Sequence, residues 1–334
     1  MHSGSFCLLV TILSCSQTIF IINMKRPPGS DQSLSDFFAK YLHGDCLPDE
    51  PLSRHTSYRV GGPADYFVYP RDRDDILRLL TVCRRSATPT FFLGDGANVL
   101  AADEGFRGVV ICLTKYFTSI SHNGLEVLAE CGVPLEKAVR YCEQHSLGGI
   151  EYHAGIPGTL GGALTMNAGT DKGEIGGRVV WVELIDETLE LVTMPREEIF
   201  FGYRSAPQLQ GKALLRCKLS MLPADFEILR QRRESQVARR SARQPVEYPS
   251  CGSVFKRPPG RFVGQMVEAS GLKGTRHGDA MISQKHAGFI VNMGTASAGD
   301  ILHLIRLIKT QIKHRYGVDL ECELKFLGFN AYPV

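Results

Sequence analysis

Residues 154–169, AGIPGTLGGALTMNAG, are the stretch that most restricts how this chain can fold. Five of the sixteen residues are glycine and none carries a charge. Glycine permits positive φ angles, and successive backbone N–H groups in such turns bind anions without a lysine. The stretch is too long for a simple turn, so it predicts a loop that holds an anionic group by its backbone; the alternative is tight turns packed against a strand.

A second glycine loop, FLGDGANVL at 92–100, follows a β-like run. Neither loop is a Walker A motif, because no Gly-Lys-Ser/Thr follows, and GDG lacks the third glycine of the Rossmann fingerprint. Two such loops in one α/β section favour a dinucleotide cradle of non-Rossmann type.

The rest of the chain reads as a mixture of strands and helices. From Thr56 to about Leu222, segments rich in β-branched and aromatic residues alternate with glycine turns. Helices are predicted at 72–86 and 135–146, and an apolar stripe predicts another that ends near Gly317. Residues 46–53, CLPDEPLS, read as a Pro-rich turn. The length of 334 residues allows two or three domains.

The first 24 residues include an apolar run, FCLLVTILSCSQTIFIINM at 6–24. It lacks the basic start of a signal peptide, and Ser, Gln and Thr interrupt it, so it is a poor membrane span. We interpret residues 1–24 as an extension ahead of a true start at Met24. The ten cysteines form no C-x-x-C pair, which argues against zinc and any other metal site and for reduced thiols. The predicted location is cytoplasmic.

The net charge of +3 gives no global sign of a nucleic-acid partner. Six arginines lie between Arg230 and Arg243 on a predicted exposed helix, and the favoured interpretation is a solvated face. The alternative is a nucleotide- or RNA-binding module built on helix 230–243.

The order of motifs resembles the UDP-N-acetylenolpyruvoylglucosamine reductase (MurB) family, in its shorter subtype without a tyrosine-bearing insertion. The resemblance covers nearly everything from Thr56 to Gly328. The segments that carry it are TSYRVGGPADYF, LGDGANVLAADEGFRGVVI, GIEYHAGIPGTLGGALTMNAG, FGYRSA, PSCGSVFKRP, ASGLKGTRHGDAMISQKHAGFIVNMGTASAGDI and GVDLECELKFLG.

The resemblance implies an α+β protein with the FAD-binding fold of the vanillyl-alcohol-oxidase (PCMH) type. Its FAD-binding domain, with two subdomains, spans residues 25–222, and a C-terminal α+β substrate domain spans 223–334. The implied enzyme uses bound FAD and the co-substrate NADPH to reduce a UDP-sugar enolpyruvyl ether to UDP-N-acetylmuramate, a peptidoglycan precursor. A monomer with no nucleic-acid or membrane partner is expected, and the alternative enzyme is an FAD-dependent oxidase of the same fold.

Three residues match the family's catalytic positions. Arg204, in GYRSA, is expected to stabilise a developing carboxylate charge, since a guanidinium grips a carboxylate at two points. Glu323, in LECEL, is expected to act as a neutral acid or beside a cation. Strand alternation places Glu321 on the same face, so only the resemblance selects Glu323. Ser253, in CGSVFK, is expected to donate the proton, with the intrinsically more acidic thiol of Cys251 as a rival.

The resemblance also implies the residues that bind the cofactor and, less specifically, the substrate. The expected cofactor-binding residues are Tyr58, Arg59, Gly94, Asp95, Gly96, Ala97, Asn98, Gly155, Ile156, Gly158, Thr159, Gly161, Gly162, Asn167 and Gly169. The expected substrate-binding residues are Tyr203, Lys256 and Arg257.

Three positions depart from the pattern of many relatives. Asp95 and Ala97 replace a glycine and a serine, and Asp95 brings a negative charge toward a diphosphate. Arg257 stands where an asparagine often touches substrate, and an arginine there suits a uridine diphosphate.

Overall fold

The computed structural model of the chain describes residues 30–334, with residues 30–33 described by their backbone alone. The predicted N-terminal extension, residues 1–24, and the proposed start at Met24 lie outside the described residues. Over residues 30–334, no helix is long and apolar enough to cross a membrane.

Helices and strands are mixed along the chain, as the sequence pattern predicts. The helices of the described residues are α1 (Ser30–Tyr41), α2 (Arg73–Arg85), α3 (Leu135–Gln144), α4 (Leu160–Thr165), α5 (Phe226–Arg243), α6 (Val263–Ala269) and α7 (Ala298–Tyr316). The strands are β1 (Asp45–Pro51), β2 (Pro63–Tyr69), β3 (Thr90–Leu93), β4 (Val99–Ala101), β5 (Phe106–Cys112), β6 (Ile120–Asn123), β7 (Glu126–Glu130), β8 (Leu147–Gly148), β9 (Gly169–Thr170), β10 (Gly173–Glu174), β11 (Val179–Ile185), β12 (Leu191–Pro195), β13 (Ala213–Ser220), β14 (Leu222–Pro223), β15 (Arg276–His277), β16 (Ala280–Ile282), β17 (Ile290–Asn292) and β18 (Lys325–Leu327).

The first sheet has the order β1-β2-β5-β3 and contains one antiparallel and two parallel pairings. Successive residues of a strand point to opposite faces. Val68 and Ile111 therefore pack against α1 and α2, while Phe67 and Val110 pack on the other face with Leu93. The first glycine loop begins where β3 ends, at the carboxyl edge of this sheet.

The prediction of a Pro-rich turn at 46–53 is wrong for most of that stretch, because residues 45–51 form β1. Within residues 30–334 this strand pairs only with β2, which places it at the edge of its sheet. Proline has no N–H to donate, and an edge strand tolerates Pro48 and Pro51 for that reason. Asp49, at φ 51°, is not among the paired residues, but the register is the same on both sides of it.

The second sheet, β12-β11-β13-β7-β6, is antiparallel throughout. Helices α3 and α4 share a core with the strands, in which Val127, Leu184 and Cys217 are fully buried. Because α4 starts within the second glycine loop, this core anchors that loop.

The C-terminal section packs the small sheet β15-β16-β17 against α6 and α7. A capping box of Ser297 and Asp300 starts α7, and Gly317, at φ 65°, ends it as predicted. The predicted apolar stripe is buried at every position, namely Ile301, Leu304, Ile305, Ile308 and Ile312.

The last strand returns to the first section of the chain. β18 pairs in parallel with β4, and the Lys325 N–H donates to the Asn98 carbonyl at 2.9 Å. The Asn98 side-chain amide donates to the Glu323 carbonyl at 3.0 Å. These bonds place the LECEL segment beside the first glycine loop.

The arginine-rich helix α5 is not simply a solvated face, so that prediction is wrong for one side of it. Arg233 is buried and pairs with Glu143 at 2.5 Å, and Arg232 pairs with Glu151 at 2.9 Å. Burial of an arginine requires such a partner, and Glu143 belongs to α3. The predicted domain boundary at 222/223 stays a prediction; α5, which follows it, packs on the second sheet's core through Val237.

Candidate active site

A cavity of about 1020 Å³ lies between the first sheet, the second sheet and the C-terminal section. The two glycine loops line it, and so do Tyr203 and Arg204, Ser253, and Glu323. Pockets for small ligands usually measure about 300–1,000 Å³, so this one has room for an extended ligand.

The first glycine loop presents unpaired N–H groups to the cavity. Among the described residues, none of the N–H groups of residues 95–98 donates to a protein acceptor. The loop's carbonyls are used instead: Gly96 accepts from the Ser57 N–H at 3.1 Å, and Asn98 accepts from Lys325. Adjacent N–H groups with no partner in the protein are suited to an anion.

Gly96 itself cannot be replaced without moving the backbone. It has φ 60°, and a Cβ at this position would lie 2.0 Å from the His55 carbonyl oxygen. This contact explains the glycine in the middle of GDGAN.

The second glycine loop completes the cradle. Thr159 caps α4 by accepting from the Gly162 N–H at 3.2 Å. A Cβ on Gly94 would lie 2.6 Å from the Thr159 hydroxyl, so the two loops touch. In the described part of the chain, the N–H groups of Gly158 and Thr159 also lack a protein acceptor. Both loops therefore fit the diphosphate of a dinucleotide.

Arg204 and Glu323 form an ion pair inside the cavity, although 119 positions separate them in the sequence. The Nε of Arg204 lies 2.9 Å from Oε1 of Glu323. Burial raises the pKa of the Glu323 carboxyl above its ordinary value of 4.5, and the charge of Arg204 offsets part of the rise. The carboxyl thus keeps its proton to a higher pH than an exposed glutamate does.

Ser253 lies next to this pair because two backbone segments run side by side. The Glu323 N–H donates to the Val254 carbonyl at 2.8 Å, and Phe255 and Cys322 form an isolated antiparallel β-bridge. In the described residues the Ser253 hydroxyl has no hydrogen-bond partner, and it lines the cavity. A hydroxyl in this position is available to a ligand.

Cys251, the rival proton donor, is a buried thiol. Its Sγ–H points to the carbonyls of Val99 and Gly96, at 3.4 and 3.5 Å. Burial raises its pKa to about 12, so the acidity that favoured it in the sequence is lost.

The structure places Glu321 and Glu323 in different surroundings, although strand alternation predicted the same face for both. Glu323 faces the cavity, whereas Glu321 lies outside its lining and accepts from the Lys256 ammonium at 2.5 Å. Lys256, an expected substrate contact, therefore pairs with Glu321 and does not line the cavity. The other two expected substrate contacts, Tyr203 and Arg257, line the cavity, and the Arg257 N–H donates to the Tyr203 hydroxyl at 3.4 Å.

Most expected cofactor residues line the cavity. They are Gly94, Asp95, Gly96, Ala97, Asn98, Ile156, Gly158, Thr159, Gly161, Gly162 and Gly169.

Four expected cofactor residues lie outside the lining. Tyr58 is fully buried in the C-terminal core, and Arg59, at φ 56°, is exposed. Gly155 packs on α5, where an added Cβ would lie 3.1 Å from Cδ of Arg240. Asn167 is fully buried, and its side chain bonds only to protein groups.

Asp95 borders both the main cavity and a side pocket of about 310 Å³. Burial raises the pKa of its carboxyl above the ordinary value. Residues 54–57, immediately before the expected Tyr58 and Arg59, line the side pocket.

The cationic residues of the cavity that the sequence analysis missed include Arg240 and Lys325. Arg240 has a buried Nε with no partner among the described residues, and burial together with the charge of Arg204 lowers the pKa of its guanidinium. Burial and the charge of Lys256 lower the pKa of Lys325. Alternation along LECELK places Lys325 on the face of Glu323, but it also places Glu321 there, which lies outside the cavity; Arg240 was hidden among the arginines of α5.

Comparisons with known proteins match two parts of the chain to family models. The model of the UDP-N-acetylenolpyruvoylglucosamine reductase C-terminal domain matches residues 244–327, and that of an FAD binding domain matches residues 64–194.

Similar whole proteins carry the same description. The chain is 40% identical over 286 residues to the UDP-N-acetylenolpyruvoylglucosamine reductase of Caldanaerobacter subterraneus subsp. tengcongensis, covering 85% of this chain and 94% of that protein. It is 42% identical over 285 residues to UDP-N-acetylenolpyruvoylglucosamine reductase 2 of Symbiobacterium thermophilum, covering 85% and 92%. The crystal structure of UDP-N-acetylenolpyruvylglucosamine reductase from Thermus caldophilus superposes with a TM-score of 0.74 at 32% identity, covering 86% of this chain and all of that one.

Proposed function

The chain belongs to the UDP-N-acetylenolpyruvoylglucosamine reductase family, and from this premise we propose that Arg204, Ser253 and Glu323 complete the reduction of the enolpyruvyl ether. It is an FAD-dependent oxidoreductase that uses NADPH. The observation that carries the proposal is that three distant segments bring these side chains to one wall of the cavity.

The residues around the cavity fit FAD. The unpaired N–H groups of residues 95–98 and of Gly158 and Thr159 are suited to its diphosphate, and the glycines leave the space for it. When bound, FAD supplies the hydride, which it obtains from NADPH.

Arg204 would bind the carboxylate of the enolpyruvyl group. Negative charge grows on this carboxylate and the adjacent carbon as the hydride arrives. A guanidinium that is already oriented stabilises such charge most effectively, and the contacts of Arg204 with Glu323 and with the Gly169 carbonyl fix its orientation.

Ser253 would deliver the proton to the carbon that carries the new charge. A hydroxyl is a weak acid, so it serves only against a strongly basic centre. Glu323, whose raised pKa favours the neutral acid, would donate a hydrogen bond to the same developing charge without repelling it.

The partner that we propose is a UDP-sugar enolpyruvyl ether. Arg240, Arg257 and Lys325 give the cavity a positive lining that suits a nucleoside diphosphate. The monomeric state, the cytoplasmic location and the lack of nucleic-acid and membrane partners remain predictions from the sequence.

The test of the proposed function is a visible spectrum of the purified chain without oxygen. We expect a flavin band that bleaches with NADPH and returns when the enolpyruvyl ether is added. A protein that cannot be reconstituted with FAD would contradict the cofactor site. A band that bleaches but returns only with oxygen would instead support an oxidase.

The amount of FAD that stays bound tests the glycine loops separately from catalysis. We expect Gly158→Val to lose bound FAD, because Gly158 has φ 121° and a β-branched side chain there strains the loop that carries the free N–H groups. The control is Gly177→Val, since a Cβ at Gly177 meets nothing within 4 Å. Flavin absorbance per protein after gel filtration is the measurement, and full retention in Gly158→Val would remove this loop from the site.

A further inference from the structure

Asn167 lies near the end of the second glycine loop, and its side chain hydrogen-bonds to three protein groups. It is fully buried at φ 42°. Its Nδ2 donates to the Gly202 carbonyl at 2.9 Å and to a carboxylate oxygen of Glu174 at 2.6 Å. Its Oδ1 accepts from the Gly176 N–H at 3.1 Å. The amide therefore links the loop to two other segments, and both of its N–H donors are used by protein acceptors.

One of these links holds the turn that carries Arg204. Gly202 and Ser205 exchange backbone hydrogen bonds of 2.8 and 3.2 Å, and Arg204 lies between them at φ 54°. This backbone conformation is sparsely populated for a residue with a side chain, so surrounding contacts must maintain it. The Arg204 guanidinium also donates to the Gly169 carbonyl at 3.2 Å, two residues beyond Asn167.

We infer that Asn167 is a positioning residue: its amide fixes the Gly202–Ser205 turn and so holds the Arg204 guanidinium in place for the substrate carboxylate. The inference rests on the proposed function, because the role of Arg204 does. It couples the loop that holds the cofactor to the group that stabilises charge on the substrate.

Only an amide satisfies all three contacts. It offers two N–H donors for the two acceptors, Gly202 and Glu174, and one oxygen for the Gly176 N–H. Aspartate has the same shape, but it removes both donors and places a carboxylate against Glu174.

The main test compares two half-reactions in Asn167→Asp. We expect kcat/KM for the enolpyruvyl ether to fall about a hundredfold relative to ferricyanide reduction by NADPH, since a small misplacement of a catalytic group costs about that much. Asn167→Ala introduces no like charges and carries the same expectation, so it serves if Asn167→Asp fails to fold.

A second variant separates positioning from stability. Glu174→Gln in the Asn167→Asp background restores an N–H donor between the two side chains but leaves the Gly202 carbonyl without its own. We expect Tm to recover while kcat/KM for the ether stays low; the single variant Glu174→Gln measures the contribution of the Glu174 charge. Recovery of kcat/KM together with Tm would overturn the inference.

A double-mutant cycle with Arg204→Ala is the decisive measurement. If Asn167 acts through Arg204, then Asn167→Asp changes kcat/KM by no more than about twofold once Arg204 is gone. Effects that multiply independently would contradict the positioning role alone. A wild-type chain that binds FAD but does not reduce the ether would instead contradict the proposed function.

Discussion

Ser253→Ala is expected to lower the rate of enolpyruvyl ether reduction by about a thousandfold, within the range that general acid catalysis supplies. Flavin binding and NADPH oxidation by ferricyanide should persist, because among the described residues the Ser253 hydroxyl makes no hydrogen bond to either glycine loop. Single-turnover absorbance measures the effect: flavin reduced by NADPH should reoxidise slowly when the ether is added.

The neighbouring thiol provides the matched control. Cys251 lies two residues away and also borders the cavity, but its Sγ–H points to the Val99 and Gly96 carbonyls. Cys251→Ala should therefore cost some stability and little of the single-turnover rate. Loss of that rate in Cys251→Ala, with normal reoxidation in Ser253→Ala, would make the thiol the proton donor.

Local patterns were enough to predict several helices of the fold. The amphipathic spacing at 72–86 and 135–146 and the glycine at 317 depend on neighbours along the chain, and the structure contains α2, α3 and the end of α7 there. Strand β1 was missed because prolines argue against a strand unless its place at a sheet edge is known. That place depends on tertiary pairing with β2, which local sequence does not encode.

The site residues were predictable where a motif determines the backbone conformation. They were less predictable where the role of a side chain depends on partners that are distant in the sequence. All the glycines of GDGAN and GIPGTLGG except Gly155 line the cavity, and Gly96 and Gly158 have the positive φ angles that glycine permits. Asn167 lies in the same loop, but its amide bonds to Gly202 and Gly176, residues whose proximity only the fold establishes. Arg240 was hidden for the same reason, since nothing local distinguishes it from the paired arginines of α5.

Glu323→Gln is the second variant with a large expected effect. The amide keeps the shape of the carboxyl, and its oxygen can still accept from the Arg204 Nε, which lies 2.9 Å from Glu323 Oε1, but it cannot ionise or act as a carboxylic acid. We expect ether reduction to fall about a thousandfold, because the amide is a far weaker acid toward the developing charge. NADPH oxidation by ferricyanide should continue.

The pH dependence of the rate of ether reduction provides a second test of the role of Glu323. The pKa of Glu323 is raised above 4.5, so its neutral form is complete below that value and disappears as pH rises through the raised pKa. The wild-type rate of ether reduction should therefore fall on the alkaline side. In Glu323→Gln the residual rate should lose that decline, which stopped-flow reoxidation across pH measures.

The control for Glu323→Gln is Glu321→Gln, since Glu321 has the same chemistry two residues away but lies outside the cavity and pairs with Lys256. It should stay within about twofold of the wild-type rate. Lys325 also titrates on the alkaline side, because burial lowers the pKa of its ammonium. If the alkaline decline in rate persists in Glu323→Gln and shifts in Lys325→Arg, the ionisation that causes it belongs to Lys325. Wild-type turnover in Glu323→Gln would show that the carboxyl takes no part in the reaction.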